Sequence, residues 1–298
     1  NEFSLYNAEL TFRSLSSIPI VPCLGSVQDS DLLKHLLLDH QINTVYHAAA
    51  YKHVPLVEEN PLQGLRNNAL GTQTLIEKCI EAEVNSFVLI STDKAVRPTN
   101  VMGASKRIAE MIVQDAARRF PESKIGIVRF GNVLDSSGSV VPLFREQIKK
   151  RMPITVTHPE ITRYFMSIGE AARLVIQAGA MSKNGEVFLL DMGNPVKIRD
   201  LALQMIELSG LVPEKDIPLQ YTGLRPGEKL YEELLIDPAL AQPTLHPRIY
   251  SSEEPLPESE SLQKEIKLLS EAISKRDLNS ALESMKRLVP EYNSKNGQ

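Results

Sequence analysis

Three scarcities frame this sequence: no tryptophan, two cysteines in 298 residues, and one glycine among the first 63. Cys23 and Cys79 are too few for a disulfide framework. Neither they nor the six histidines fall at metal-ligand spacing, so a reducing compartment and no metal are expected. No apolar run approaches the roughly 20 residues that cross a bilayer. The N-terminus has no signal-peptide pattern, and as given the chain reads as soluble. A surplus of one charge is also missing. The net charge is -4, and acidic side chains alternate with basic ones as on solvated helix faces, which argues against a nucleic-acid partner.

What is present is ordinary globular material, 42% hydrophobic and 23% charged, enough for one large core or two unequal lobes. Residues 17–24 (SIPIVPCL), 43–48 (NTVYHA), 86–91 (SFVLIS) and 124–130 (KIGIVRF) read as strands. Residues 29–39, 62–82 and 102–120 have helical periodicity, with Asp29 or Ser30 placed to cap the first. A helix over 169–181 leads into a strand over 186–190. This alternation predicts an α/β fold around a doubly wound parallel sheet. Further on, 195–209 reads as a strand and a helix, 211–226 is rich in Pro and Gly, and 231–235 reads as a short helix. Residues 251–260 (SSEEPLPESE) read as an acidic surface linker, and 261–288 as an amphipathic helical hairpin broken near Asp277. No internal repeat is visible.

The glycine scarcity matters most at the start. A dinucleotide-binding sheet opens with a strand and a Gly-rich turn that admits a pyrophosphate at a helix N-terminus. Gly25 stands alone, and residues 1–16 read as a helix already past such a turn. The expectation is a Rossmann-type sheet whose first βαβ unit lies upstream of residue 1. Residues 1–298 alone would then hold an incomplete cofactor site. In the strand order 3-2-1-4-5-6, the 17–24 strand would also lack its partner.

Ser91-Thr92-Asp93-Lys94 follows directly on an apolar strand, where ligands of open α/β sheets sit. A hydroxyl, a carboxyl and an amine in series offer a donor, an acid and a base; the alternative is a loop in which Thr or Asp caps the next turn. Met102 and Lys106 open the next helix on one face. A lysine there is disfavoured by the helix dipole, which hints at a specific partner such as a ribose. Met102 by type alone is a gap-filling core residue.

The stretch STDKAVRPTNVMGASKR resembles the active-site segment of extended short-chain dehydrogenases/reductases, and more closely their polysaccharide-biosynthesis branch with its UDP-N-acetylglucosamine 4,6-dehydratases. Met102 stands where most of the superfamily has the proton-removing tyrosine, as in the large membrane-anchored dehydratases of that branch. His47 to His53 (HAAAYKH), Asn67-Asn68 with Gly71-Thr72, and residues 129–133, 138–142, 162–166 and 224–229 also resemble family segments, in family order across roughly residues 1–235.

The resemblance implies a Rossmann-type domain over 1–132 and 158–191. A smaller α/β lobe for a nucleotide sugar would cover 133–157 and 192–298, including the tail 261–288. It implies NAD as cofactor, with NADP as the alternative, held by Asp29, Ala48, Ala49, Ala50 and Lys106. A UDP-hexosamine would meet Lys52, His53, Asn132, Ser139, Val140, Arg163, Arg225 and Glu228. It further implies a homodimer or larger assembly through the helices 62–82 and 102–120, and a cytoplasmic domain anchored, if at all, by a segment upstream of this chain.

The implied reaction is that of a lyase. Hydride leaves C4, water is eliminated across C5 and C6, and hydride returns to C6. Lys94 is expected as base at C5 and Asp93 as acid at the C6 hydroxyl. Lys94 would need burial or a cation such as Lys106 to lower its pKa, and Asp93 the reverse shift. The C4 base is open, with Thr92 and a water passing the proton towards Asp93. A 4-epimerase or a C5-inverting dehydratase competes within enzymes, and a non-catalytic sugar-nucleotide-binding scaffold outside them.

Overall fold

The computed structural model of the chain describes residues 1–233 and 241–294. Helix α1 (Glu2–Leu15) is capped by Asn1, and α2 (Ser30–Asp39) by Asp29, whose carboxylate accepts from the Leu32 amide at 3.0 Å. Strand β1 (Thr44–His47) is followed by α3 (Val54–Glu59) and α4 (Pro61–Leu65), each with a proline in its first turn. A π turn over Arg66–Leu70 then joins α4 to α5 (Gly71–Glu81). The continuous helix expected over 62–82 is thus interrupted, in the stretch where the Asn68 side chain ties down the loop after β1. Asn68 accepts from the Tyr51 amide at 2.7 Å and donates to the Tyr51 carbonyl at 2.9 Å.

Strand β2 (Ser86–Ile90) leads through a 3-10 turn to α6 (Val101–Arg119), which ends before Pro121. Then follow β3 (Lys124–Arg129), β4 (Asn132–Val133), α7 (Val140–Lys149), β5 (Ile154–Val156), β6 (Thr162–Arg163) and β7 (Phe165–Met166). Helix α8 (Ile168–Met181) and β8 (Asn184–Leu190) precede β9 (Val196–Lys197), α9 (Ile198–Leu208) and β10 (Leu219–Tyr221). The chain closes with β11 (Ala241–Pro243), β12 (Ile249–Ser252), α10 (Ser259–Ser274) and α11 (Leu278–Leu288).

The main sheet runs β1-β2-β3-β8-β12-β11, parallel up to β8 and antiparallel beyond it. Alternation along the strands feeds two cores. Phe87, Leu89, Ile125, Ile127, Val187 and Leu189 face α5 and α6, while Val88, Val128, Phe188 and Leu190 face α8. Helices therefore cover both faces, as in a Rossmann-type fold. A third core, around Phe144, Ile154, Ile198, Ile206 and Ile217, belongs to a smaller unit with the β5·β10 and β6·β9 pairs. Among the described residues no helix is long and apolar enough to cross a membrane.

Four further expectations change. Residues 17–24 form no strand, and Ile18, Val21 and Leu24 are exposed. A strand exists only through its ladder, and β1 is the edge of the sheet with no described neighbour on its outer side. Tyr231, Glu232 and Glu233 are not helical, and the rest of the 231–235 helix lies outside the described residues.

The 251–260 linker is no simple surface segment: Ser251 and Ser252 belong to β12, and the Glu254 side chain is buried against Arg129. The 261–288 tail does fold as a hairpin capped by Asp277, but its Leu262, Ile266, Met285 and Leu288 join the α5/α6 core rather than the smaller unit. With that tail over it, α6 is buried from Val101 to Ala117. The α6 side of the 62–82 and 102–120 helix pair is therefore covered within the chain.

Candidate active site

The β2 strand delivers its last residues to one end of the sheet, where the backbone ladder extends past it. The Ser91 amide donates to Val128 O at 2.7 Å and the Asp93 amide to Phe130 O at 3.1 Å. Asp93–Ala95 forms the 3-10 turn, capped by Thr92. Helix α6 starts against this turn, with Asn100 Oδ1 accepting from the Gly103 amide at 2.8 Å. Gly103 is required there, because a Cβ would lie 2.1 Å from the Lys94 carbonyl oxygen.

Above the turn opens a cavity of about 850 Å³, between the sheet end and the smaller unit. This volume suits a small-molecule ligand. Lys94 stands at its floor with about 20% of its side chain exposed. Its ammonium lies 3.0 Å from Asp93 Oδ1 and 3.3 Å from Glu232 Oε1. Arg163 Nε reaches Glu232 Oε1 at 3.5 Å. Thr92 Oγ1 donates to Asp93 Oδ1 at 2.8 Å. Asp93 is fully buried, and its Oδ2, like Glu232 Oε2, has no hydrogen-bond partner among the described residues. Gly131 lines the cavity, and a Cβ there would sit 3.2 Å from Asp93 Oδ2, so the glycine leaves that oxygen room.

The charges shift one another. Burial lifts the Asp93 carboxyl above its ordinary range despite the ammonium beside it. Burial works against the Lys94 charge, yet Asp93 and Glu232 outweigh it and hold the lysine above its usual value. That is opposite to the lowering a resting base needs. Burial likewise opposes the Glu232 charge, but Lys94, Arg163 and Lys229 keep that carboxylate below its normal range. Burial brings Lys106 down to about 8, against the pull of Glu110, and Lys52 is lowered first by burial and then by Lys94.

Of the residues expected at the site, Thr92, Lys94, Met102, Lys106, Ala48, Ala50, Lys52, His53, Asn132, Ser139, Val140, Arg163, Arg225 and Glu228 all line this one cavity. Asp93 lies directly beneath it. Ala49 does not line it, and neither does Asp29, whose carboxylate caps α2. Met102 serves both readings, lining the cavity while packed in the α5/α6 core. The Arg163 guanidinium is mostly buried between Glu228 and Glu232. Glu228 already accepts from the Arg225 amide, Thr157 and Arg163.

Sequence reading missed Glu232, which follows the 224–229 segment but offers no motif of its own. It also missed the Arg107–Glu110–Arg129–Glu254 cluster behind the turn. Here a helical i,i+3 spacing pointed to one pair only.

A dinucleotide's nicotinamide end fits part of this cavity. Lys106 uses one of its three donors on Ile90 O at 2.8 Å, and Ala48 and Ala50 present little bulk at the rim.

Comparison with known proteins follows the same lines. The family model described as "Polysaccharide biosynthesis protein" matches residues 1–254. The capsular polysaccharide biosynthesis protein CapD of Staphylococcus aureus is 52% identical over 251 residues, covering 84% of this chain and 42% of that protein. The chain thus spans under half the length of that relative. The X-ray structure of Pen from Bacillus thuringiensis superposes with a TM-score of 0.78 at 32% identity, over 90% of this chain and 87% of that one. DesIV, a dTDP-glucose 4,6-dehydratase from Streptomyces venezuelae solved with NAD and TYD bound, shares the fold at a TM-score of 0.62 and 21% identity, over 70% and 69% of the two chains.

Proposed function

We propose, for a chain that belongs to the polysaccharide biosynthesis protein family, that it carries the catalytic site of an NAD-dependent UDP-N-acetylglucosamine 4,6-dehydratase. The observation that carries the reading is the Asp93–Lys94 pair, an acid and an amine 3.0 Å apart at the floor of the cavity. Epimerisation at C4 alone needs no such pair. Elimination across C5 and C6 needs both.

The chain's own residues divide the work. Lys106 and the small residues Ala48 and Ala50 would hold the nicotinamide end, and DesIV, which shares the fold, was solved with NAD. When bound, NAD supplies a hydride acceptor at C4 and a donor at C6. Met102 takes no proton, so the C4 hydroxyl proton passes through Thr92 to Asp93 Oδ1, its hydrogen-bond partner at 2.8 Å. The 4-keto group acidifies C5, and Lys94, as the free amine, removes that proton. Asp93 returns its proton to the departing C6 hydroxyl, and water leaves. Lys94, whose ammonium hydrogens exchange with cavity water, then delivers a solvent-derived proton to C5 as hydride reaches C6. The water lost is therefore the C6 hydroxyl with the former C4 hydroxyl proton. Arg163 and Arg225, at the smaller unit's side of the cavity, suit a diphosphate.

Incubation of the protein as its gene encodes it with NAD and UDP-N-acetylglucosamine, followed by mass spectrometry of the nucleotide sugar, tests the reading. Loss of one water is expected. An isomer of unchanged mass would make the protein an epimerase, and an untouched substrate would point to a scaffold.

A further inference from the structure

Glu232 is a carboxylate for which the reaction above has no use, yet it is buried in the cavity wall within reach of the base. We propose that Glu232 is a positioning residue for Lys94, holding its ammonium at the cavity floor and setting the pH at which that amine becomes a free base. The consequence for catalysis rests on the dehydratase reading; the charge relation itself does not.

The geometry carries the argument. Lys94 Nζ lies between two carboxylates, Asp93 Oδ1 at 3.0 Å from its own turn and Glu232 Oε1 at 3.3 Å from the smaller unit. Glu232 is 3% exposed in its side chain, and Oε2 has no partner among the described residues. Its contact with Lys94 is therefore charge-dominated rather than part of a satisfied hydrogen-bond set. Arg163 touches the same Oε1 from β6 and draws charge away from the lysine. Two further cations influence these groups, Lys52 from the loop after β1 and Lys229 beside Glu232.

Follow the protons. Once Asp93 has accepted the C4 proton it is neutral, and it no longer holds the ammonium by charge. Among the described residues Glu232 is then the one carboxylate still paired with Lys94 by charge. Lys94 must release its proton to cavity water before it can take the one on C5, and the Glu232 charge opposes that release. An opposite charge within 4–6 Å typically moves a titration by about 1–3 pH units.

Trace labelling of Lys94 with acetic anhydride across pH, read by peptide mass spectrometry, measures the free amine without any substrate. Glu232→Gln is expected to lower the midpoint by about one pH unit or more, and Glu232→Asp to restore it. Arg163→Gln is expected to move it the other way. An unchanged midpoint in a folded Glu232→Gln protein overturns the proposal. If that variant does not fold, an Arg163→Gln midpoint that stays or falls overturns it instead.

The rising limb of kcat/KM for water loss should move with the same sign. A shifted midpoint with no water loss from any UDP-sugar defeats the dehydratase reading and leaves the inference standing. Water loss with an unmoved midpoint does the reverse.

Discussion

Arg107, Glu110, Arg129 and Glu254 form one buried cluster of two cations and two anions. Asp93, Lys94, Arg163 and Glu232 form another. They are neighbours: Ser91 Oγ donates to Glu110 at 2.5 Å on one side, and the Phe130 carbonyl, next to Arg129, holds the Asp93 amide on the other. In the first cluster Arg129 forks onto Glu110 at 2.7 and 2.5 Å and also engages both oxygens of Glu254, and all four side chains are at most 3% exposed. In the second the ion pairs run from 3.0 to 3.5 Å, two carboxylate oxygens have no hydrogen-bond partner among the described residues, and Lys94 opens to the cavity. The charge tally is the same. What differs is where bonding falls short among the described residues: one donor, Arg107 Nε, in the first cluster, against two carboxylate oxygens in the second. Guanidinium forks fix geometry and never give up a proton, whereas a lysine between incompletely bonded carboxylates can.

This contrast predicts opposite consequences of removing a cation. Arg129→Met leaves the two buried carboxylates Glu110 and Glu254 with Arg107 as their one described cation, and should cost about 3–5 kcal/mol in chemical denaturation. Lys94→Met, in the loose cluster, leaves Glu232 on Arg163 and lets buried Asp93 take up a proton, so it should cost clearly less stability than Arg129→Met while abolishing turnover. Equal destabilisation by the two would erase the distinction.

A smaller effect tests how the loose cluster is held in place. Gly103→Ala drives a Cβ against the Lys94 carbonyl, and a displacement near 1 Å at a reacting group costs about 100-fold in rate. The expected signature is a fall in kcat with the Arg129 cluster, and so the denaturation midpoint, less affected.

His47 is a buried base outside both clusters, bonded to Thr72 at 2.9 Å. Burial, with Lys106 nearby, holds its pKa down at about 3 against 6.5 in the unfolded chain. Between those values the unfolded state binds the extra proton, so stability is full above pH 6.5 and is lost as pH falls towards 3. At pH 5 the loss is about 2 kcal/mol, and His47→Gln should remove that part of the acid limb in a pH series of melting temperatures. The smallest effect is Asp29→Ala, about 1 kcal/mol of cap energy. A tenfold loss of NAD affinity in that variant would give Asp29 a cofactor role beside its cap.

Much of this was legible in the sequence because it is local. Strand alternation, the Asp29 cap, the helix break near Asp277 and the 91–106 segment are each written in consecutive residues. What escaped depends on distant partners. Residues 17–24 have strand composition but no strand beside them. The acidic, proline-bearing 251–260 segment looks solvated until Arg129, 125 residues away, is found against Glu254. Glu232 is one acid among 37 Asp and Glu residues until the smaller unit sets it 3.3 Å from Lys94. The tail's apolar stripe packs into the α5/α6 core rather than against the smaller unit.

The central claim, that the loose cluster removes the C5 proton, is tested most directly by running the reaction on UDP-N-acetylglucosamine in deuterium oxide and reading the product by NMR. The account predicts a 4-keto-6-deoxy sugar carrying deuterium at C5, and no deuterium at that carbon with Lys94→Met. A product with protium at C5, or the same label with and without Lys94, contradicts it.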